Sequence, residues 1–167
     1  LRVTSYTNKY GTFQTRTLNG MLPGPLMRME ACSEYSVTLN NRMHGYLPPF
    51  PEAPFNSYRD PLVTNMHLHG LHISGSAGGD DMTVEIEPGA DHTYLYKIPC
   101  DHSGGLHWYH PHHHGSTTLQ AGAGAAALLV VEDNPWLEAS MPEVYKDIPQ
   151  VKLTLRCGET GTCALVE

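Results

Sequence analysis

Turn-forming residues interrupt this chain at short intervals. Thirteen prolines and sixteen glycines are spread over 167 residues and divide the sequence into many short segments. The apolar segments between them are rich in β-branched and aromatic residues, and the 3.6-residue periodicity of amphipathic helices is nearly absent. This pattern predicts an all-β fold, either a sandwich or a barrel.

Individual strands can be assigned from the spacing of the apolar residues. Residues 34–41 (EYSVTLNN) and 93–98 (TYLYKI) alternate apolar or aromatic with other residues and predict half-buried strands. Residues 126–132 (AALLVVE) are almost continuously apolar and predict a strand that is buried on both faces. Residues 45–62 contain too many prolines for the interior of a sheet and predict a surface loop or edge.

The length suits one domain with a full core, and the pattern changes after Asp133. We expect residues 1–133 to form the first domain and residues 134–150 to form a linker with about one helical turn. Residues 151–167 are expected to begin a second, truncated domain or to form a terminal hairpin. The sequence begins at Leu1 without a methionine or a leader, so we expect either a processed signal peptide or a fragment.

Charge and hydropathy exclude some classes of partner. The formal net charge is −7, from 17 acidic and 10 basic residues without a long run of one sign. Nucleic acids and anionic membranes are therefore poor partners. The longest apolar stretch, residues 121–131, is interrupted by glycine and is shorter than the roughly 20 residues that span a bilayer.

The four cysteines form an even set without a C-x-x-C pair, which fits two disulfides better than a zinc knuckle. Cys157 and Cys163 flank a plausible turn, GETGT, and their pairing leaves Cys32 with Cys100. Two disulfides favour an oxidising compartment, so we expect a secreted, periplasmic or extracellular protein. The alternative is four buried free thiols.

Histidines are concentrated in two motifs. HLHGLH (67–72) contains His67 and His69, and HWYHPHHHG (107–115) contains His110 and His112. Residues two apart in a strand point to the same face, so each pair can direct two imidazoles to one site. Pro111 holds the residue before it extended. Two strands can thus enclose one metal ion, and imidazole suits copper, zinc, iron and nickel, with the affinity order favouring copper.

Both histidine motifs and their surroundings resemble a known family. The segments HLHGLH and EPGADHTYLYKIPCDHSGGLHWYHPHHHGSTTLQAGAGAAALLVVED, with LNGMLPGPLMRMEACSEYSVTLNN upstream, resemble the first cupredoxin domain of laccase-like multicopper oxidases of the bacterial, three-domain type. The resemblance covers about residues 15–133. It implies a cupredoxin-like Greek-key β-sandwich or barrel, with the tail as the entry to a middle domain.

The resemblance also implies a role for each histidine. His67 would bind a type 2 copper, and His69, His110 and His112 would bind the type 3 pair of a trinuclear cluster. His114 matches a histidine outside the usual ligand set, where it could orient a ligand or carry protons.

Other residues near the motifs receive weaker assignments. Asp80 and Asp81 lie near the place where the family often carries an acidic residue that supplies protons, although GGDDMT departs from the usual pattern. Solvated carboxylates in a turn are the alternative. His72, His107 and His113 are expected to be structural or surface residues.

The parts of the enzyme that this sequence lacks limit what it can do alone. A type 1 copper uses a cysteine thiolate, normally within H-C-H, and none of the four cysteines has histidine neighbours. The resemblance implies that further cupredoxin domains, of the same enzyme or of another subunit, supply the type 1 site and the remaining cluster histidines. The complete enzyme would oxidise a reducing substrate in one-electron steps and reduce dioxygen to water, whereas we expect the isolated chain to be inactive.

Three other functions remain open. The chain could be a non-catalytic copper-binding cupredoxin module, such as a copper carrier or a component of an extracellular assembly. A cupin-type metal enzyme also uses H-x-H, but Ile73 and Ser74 stand where that family expects a glutamate. Finally, four histidines can form a tetrahedral zinc site.

Overall fold

The all-β prediction is confirmed by a computed structural model of the chain. The structure describes residues 1–45, 58–146 and 148–149, together with the backbone of two short strands at 154–157 and 163–166. Within these residues there are ten strands and three helices of at most six residues. The strands are β1 (Arg2–Asn8), β2 (Gly11–Thr17), β3 (Met27–Met29), β4 (Glu34–Asn40), β5 (His67–His69), β6 (Asp91–Lys97), β7 (Gly105–His110), β8 (Ala127–Val131), β9 (Thr154–Cys157) and β10 (Cys163–Val166). The helices are α1 (Thr117–Gly122), α2 (Pro135–Ser140) and α3 (Glu143–Lys146).

A four-stranded sheet with the order β3-β8-β7-β5 carries both histidine motifs. β7 pairs antiparallel with β5 on one side and with β8 on the other, while β3 runs parallel to β8. β8 is the apolar strand predicted from residues 126–132, and four of its five residues are buried. Its central position in the sheet explains why a continuous apolar sequence is required there.

β4 and β6 form a second, two-stranded antiparallel sheet, in the two segments predicted from their alternating sequences. β6 buries Tyr94 and Tyr96, and β4 buries Leu39. These side chains belong to the same apolar cluster as Leu68 and Leu129 of the four-stranded sheet. The common cluster makes the two sheets the layers of a sandwich.

The disulfide between Cys32 and Cys100 lies at one end of the β4–β6 ladder. The last backbone hydrogen bonds of this ladder run from the Ile98 N–H to the Ser33 carbonyl and from the Cys32 N–H to the Pro99 carbonyl. The bridge therefore fixes the beginning of the connection that leads from β6 to β7.

The two ends of the chain form separate hairpins. β1 and β2 pair over their full length, and β9 pairs with β10. Cys157 lies directly opposite Cys163 in the second hairpin, so the backbone register allows the predicted second bridge. Two short helices, α2 and α3, occupy the segment expected to hold about one helical turn. The loop predicted at 45–62 falls largely outside the described residues.

No helix in the described part of the chain is both long enough and apolar enough to cross a membrane.

Candidate metal site

The pairing of β5 with β7 brings the two histidine motifs together. His67 is the Cα partner of His110, and His69 is the partner of Trp108. Ring nitrogens of His67, His69 and His110 all lie within 4.8 Å of one another. Nitrogens that share one ion of ordinary Zn–N bond length lie roughly 3–4 Å apart, so the three nitrogens are close to the spacing of a shared metal site.

Asp80 holds the imidazole of His67. Its Oδ2 lies 2.8 Å from Nδ1 of His67, and its Oδ1 accepts a hydrogen bond of 3.0 Å from the Leu68 N–H. A carboxylate only accepts, so the Nδ1 of His67 carries the proton and the Nε2 is left as the free ligand atom. Asp80 itself is 7% exposed, which strengthens this contact because little water competes for it.

The tautomer of His110 is fixed by its own backbone. The Nδ1–H donates to the Pro111 carbonyl at 2.9 Å, and Nε2 faces Nδ1 of His69 at 3.3 Å. Burial lowers the pKa of His110, and the neighbouring histidines act in the same direction, against the opposing effect of the Pro111 carbonyl. A lowered pKa keeps the ring neutral at pH 7, and the neutral ring is the form that binds metal.

Trp108 covers this face of the sheet. Its ring stacks on His110 at a centroid distance of 4.0 Å and on His69 at 4.9 Å. Trp108 precedes His110 by two residues in the same strand, so the strand period places both on one face. The two-residue spacing of Trp108 and His110 in HWYHPHHHG indicates that they share a face, although Trp108 is not among the site residues predicted from the sequence.

His112 adjoins the three histidines from beyond the end of β7. β7 ends at His110, so the extended geometry predicted for the His110 and His112 pair does not continue as a strand. The ring of His112 is 5.2 Å from that of His67 and 5.7 Å from that of His110, centroid to centroid. Its backbone N–H donates to Oδ1 of Asn65 at 2.6 Å, and no sequence motif marks Asn65 as part of the site.

The remaining predicted residues lie in different surroundings. Asp81 accepts hydrogen bonds from the hydroxyl and the N–H of Thr83, and these bonds lower the pKa of its carboxyl group. His114 is exposed in the turn before α1. Of the two aspartates, Asp80 is thus the one that contacts a predicted ligand.

The donor set suits a metal of borderline softness. Neutral imidazoles are good ligands for copper and zinc, and one of them is already oriented by a carboxylate, which is common around protein metal sites. The residues present therefore fit a copper site, with ring nitrogens of three histidines within 4.8 Å of one another.

Known proteins resemble this chain in sequence. The family profile described as multicopper oxidase matches residues 55–135. Multicopper oxidase MmcO of Mycobacterium tuberculosis is 31% identical over 120 residues, which are 71% of this chain and 19% of that protein. Iron transport multicopper oxidase FET3 of Saccharomyces cerevisiae is 27% identical over 143 residues, or 79% of this chain and 19% of that protein.

A solved structure agrees with the sequence comparisons. A bacterial laccase-like multicopper oxidase, CueO from Ochrobactrum sp., superposes with a TM-score of 0.59 at 26% identity, covering 86% of this chain and 28% of that one. The chain thus spans about a fifth of the length of the curated relatives it matches. The fold is the cupredoxin fold of these oxidases.

Proposed function

We propose, because this chain belongs to the multicopper oxidase family, that His67 binds a type 2 copper and that His69, His110 and His112 bind a type 3 pair. Copper is the metal that this family uses. The observation that carries the proposal is the convergence of His67, His69 and His110 within 4.8 Å. Bound copper would supply one-electron chemistry toward dioxygen.

The protein's own residues prepare the ligands for this role. Asp80 keeps the proton of His67 on Nδ1, and the Pro111 carbonyl keeps that of His110 on Nδ1. Each contact leaves Nε2 unprotonated, although Nε2 of His110 faces Nδ1 of His69 at 3.3 Å and would have to exchange that contact for a metal. Trp108 stacks on the rings of His69 and His110.

Asp80 is the better of the two candidates for the acidic residue near the cluster. It is buried and contacts His67, whereas the carboxylate of Asp81 is engaged by Thr83. We assign to Asp80 the movement of protons toward the dioxygen site, and to His114 a position outside the ligand set.

The complete enzyme requires domains that this sequence does not include. The chain covers 19% of its curated relatives, and none of the four cysteines in the sequence lies within H-C-H. We propose that further cupredoxin domains supply the type 1 copper and the rest of the cluster ligands, in the same enzyme or in another subunit. Together they would couple one-electron oxidation of a reducing substrate to four-electron reduction of dioxygen.

The disulfide supports a location outside the reducing cytosol. Cys32 and Cys100 are joined, and such bridges persist in secreted and periplasmic proteins. We therefore propose a secreted, periplasmic or extracellular protein, with residues 1–133 as the first domain, 134–150 as a linker and 151–167 as the beginning of another unit. The second bridge, Cys157 to Cys163, belongs to the same proposal.

Titration of the purified chain with Cu(II), followed by electron paramagnetic resonance, tests the metal assignment. We expect saturable binding and a Cu(II) signal with hyperfine structure from nitrogen ligands. A chain that does not bind Cu(II), or that prefers Zn(II) in direct competition, would contradict the proposal and leave the zinc alternative.

The variant Asp80→Asn tests how the carboxylate prepares His67. An amide of the same shape cannot accept both hydrogen bonds, because its single oxygen is needed by the Leu68 N–H and its NH2 then faces Nδ1 of His67. The His67 proton is expected to move to Nε2, which blocks the ligand atom. We expect a Kd for Cu(II) about 10- to 100-fold higher, as is typical for residues that orient ligands.

The matched control is Asp81→Asn, whose carboxylate bonds Thr83 instead of a histidine. Its Kd should stay within about twofold of the unaltered chain. Equal affinities for the two variants would show that Asp80 does not set the tautomer of His67.

A further inference from the structure

Asn65 is a buried amide that connects three segments around the metal site. It is 1% exposed. Its Oδ1 accepts the N–H of His112 at 2.6 Å, and its Nδ2 donates to the carbonyls of Met82 at 2.9 Å and Val84 at 3.1 Å. Asn65 also lies two residues before His67, which is the first residue of β5.

The orientation of this amide is determined by its partners. A backbone N–H can only donate and a carbonyl can only accept, so the oxygen must face His112 and the NH2 must face Met82 and Val84. Both amide hydrogens and one oxygen lone pair are therefore used. No rotation of the side chain by 180° would satisfy the same three groups.

We propose that Asn65 is a positioning residue of the metal site, which sets His112 and the Asp80 segment relative to His67. The inference rests on the proposed function, since His67 and His112 are ligands only within it. Asn65 need not contact a metal to act in this way.

The segment around His112 depends on this contact. β7 ends at His110, and Pro111 has no N–H to donate. The next backbone donor is the N–H of His112, and it is bound by Asn65 instead of by a neighbouring strand. The location of the His112 ring thus follows the side chain of Asn65.

The same amide holds the segment that follows Asp80. Met82 and Val84 lie two and four residues after Asp80, and Asp80 in turn holds the Nδ1 of His67. Loss of the two Nδ2 bonds would release this segment and, with it, the carboxylate that fixes the tautomer of His67. One side chain therefore controls both a ligand backbone and the orientation of another ligand.

The variant Asn65→Asp gives a sharp test. The carboxylate can still accept the N–H of His112 but cannot donate to Met82 and Val84, so it places an oxygen against two carbonyls. We expect the Kd for Cu(II) to rise about 10- to 100-fold, and the nitrogen hyperfine pattern of the Cu(II) signal to change.

A matched control exists elsewhere in the domain. Asn41 is fully buried, its Nδ2 donates to the carbonyls of Leu62 and Ile86, and its Oδ1 accepts the N–H of Met43. Asn41→Asp therefore removes the same two donor bonds without touching a predicted ligand or its carboxylate. We expect both variants to lower the melting temperature, and Asn65→Asp alone to change the copper affinity and the signal.

The outcomes separate the two claims. If the unaltered chain binds no Cu(II), the proposed function fails and the inference fails with it. If it binds Cu(II) and both variants have the same Kd and signal, Asn65 is only structural and the inference alone is overturned.

A measurement on the unaltered chain covers the case in which Asn65→Asp does not fold. With Zn(II) as a diamagnetic probe, nuclear magnetic resonance should show shifts of the Asn65 side-chain NH2 and the His112 amide, while the NH2 of Asn41 stays unchanged. Resonances of Asn65 and His112 that do not respond to saturating Zn(II) would overturn the inference.

Discussion

Replacing His110 with alanine should raise the Kd of this chain for Cu(II) roughly a hundredfold. Four-ligand zinc sites in small peptides contribute roughly 10–16 kcal/mol, so one ligand accounts for about 3 kcal/mol, which corresponds to about a hundredfold in Kd. The ring of His110 lies within 5.7 Å of the rings of His67, His69 and His112, centroid to centroid. Isothermal titration and the Cu(II) resonance signal measure the loss.

His72→Ala is the matched control for this experiment. It removes an exposed histidine three residues after His69, and the hydrogen bond from its backbone N–H to Nε2 of His102 survives the substitution. We expect an affinity within about twofold of the unaltered chain. If His72→Ala weakened binding as much as His110→Ala, copper would be held by exposed histidines in general and not by the proposed ligands.

The same substitution of His110 separates two functions in the complete enzyme. We expect His110→Ala to stop dioxygen reduction while the reducing substrate still transfers an electron to the type 1 centre, because the proposal places these events at different sites. Stopped-flow bleaching of the type 1 absorption without oxygen consumption would report this state. Undiminished oxygen consumption would contradict the assignment of His110.

The parts of the fold that were predictable are those set by local periodicity. β4, β6 and β8 follow from the spacing of apolar residues, and the shared face of His67 and His69 follows from the two-residue period of a strand. At His112 the rule covers less, because β7 ends at His110 and the His112 N–H is held by the amide of Asn65 instead of by a neighbouring strand, although the rings of His110 and His112 lie 5.7 Å apart. Periodicity carries no information about partners beyond the end of an element.

The contact between Asp80 and His67 shows why the rest could not be predicted. The loop between them returns through bonds from Asp80 N–H to the Ser74 carbonyl and from Gly79 N–H to the Ser76 carbonyl. A Cβ at Gly79 would lie 2.6 Å from the Ser74 carbonyl oxygen, so this return requires glycine. The sequence SGSAGGDD indicates a turn, but the direction in which the turn delivers its carboxylates depends on the packed strands. Asp80 and Asp81 therefore remained equivalent until the fold was known.

Removing the Cys32–Cys100 bridge, as Cys32→Ser with Cys100→Ser, should lower the free energy of unfolding by about 4 kcal/mol. The bridge joins residues 68 positions apart, and the loop-entropy relation gives about 4 kcal/mol for a loop of that length. The loss would appear in urea denaturation as a lower midpoint. Its size is a substantial part of the roughly 5–15 kcal/mol by which a domain of this kind is stable.

This loss should be separable from metal binding, because the bridge and the histidines occupy different parts of the sandwich. The disulfide closes the end of the β4–β6 ladder, while the ligands lie on β5 and at and after the end of β7. Under conditions where the double variant is still folded, its Kd for Cu(II) should therefore match that of the unaltered chain.

The predicted bridge between Cys157 and Cys163 closes a much shorter loop. Its removal, as Cys157→Ser with Cys163→Ser, should lower the free energy of unfolding by less, about 2 kcal/mol. Unchanged stability in both double variants would remove the argument for an oxidising compartment, whereas a change in copper affinity would show that the β6–β7 connection transmits strain to the site.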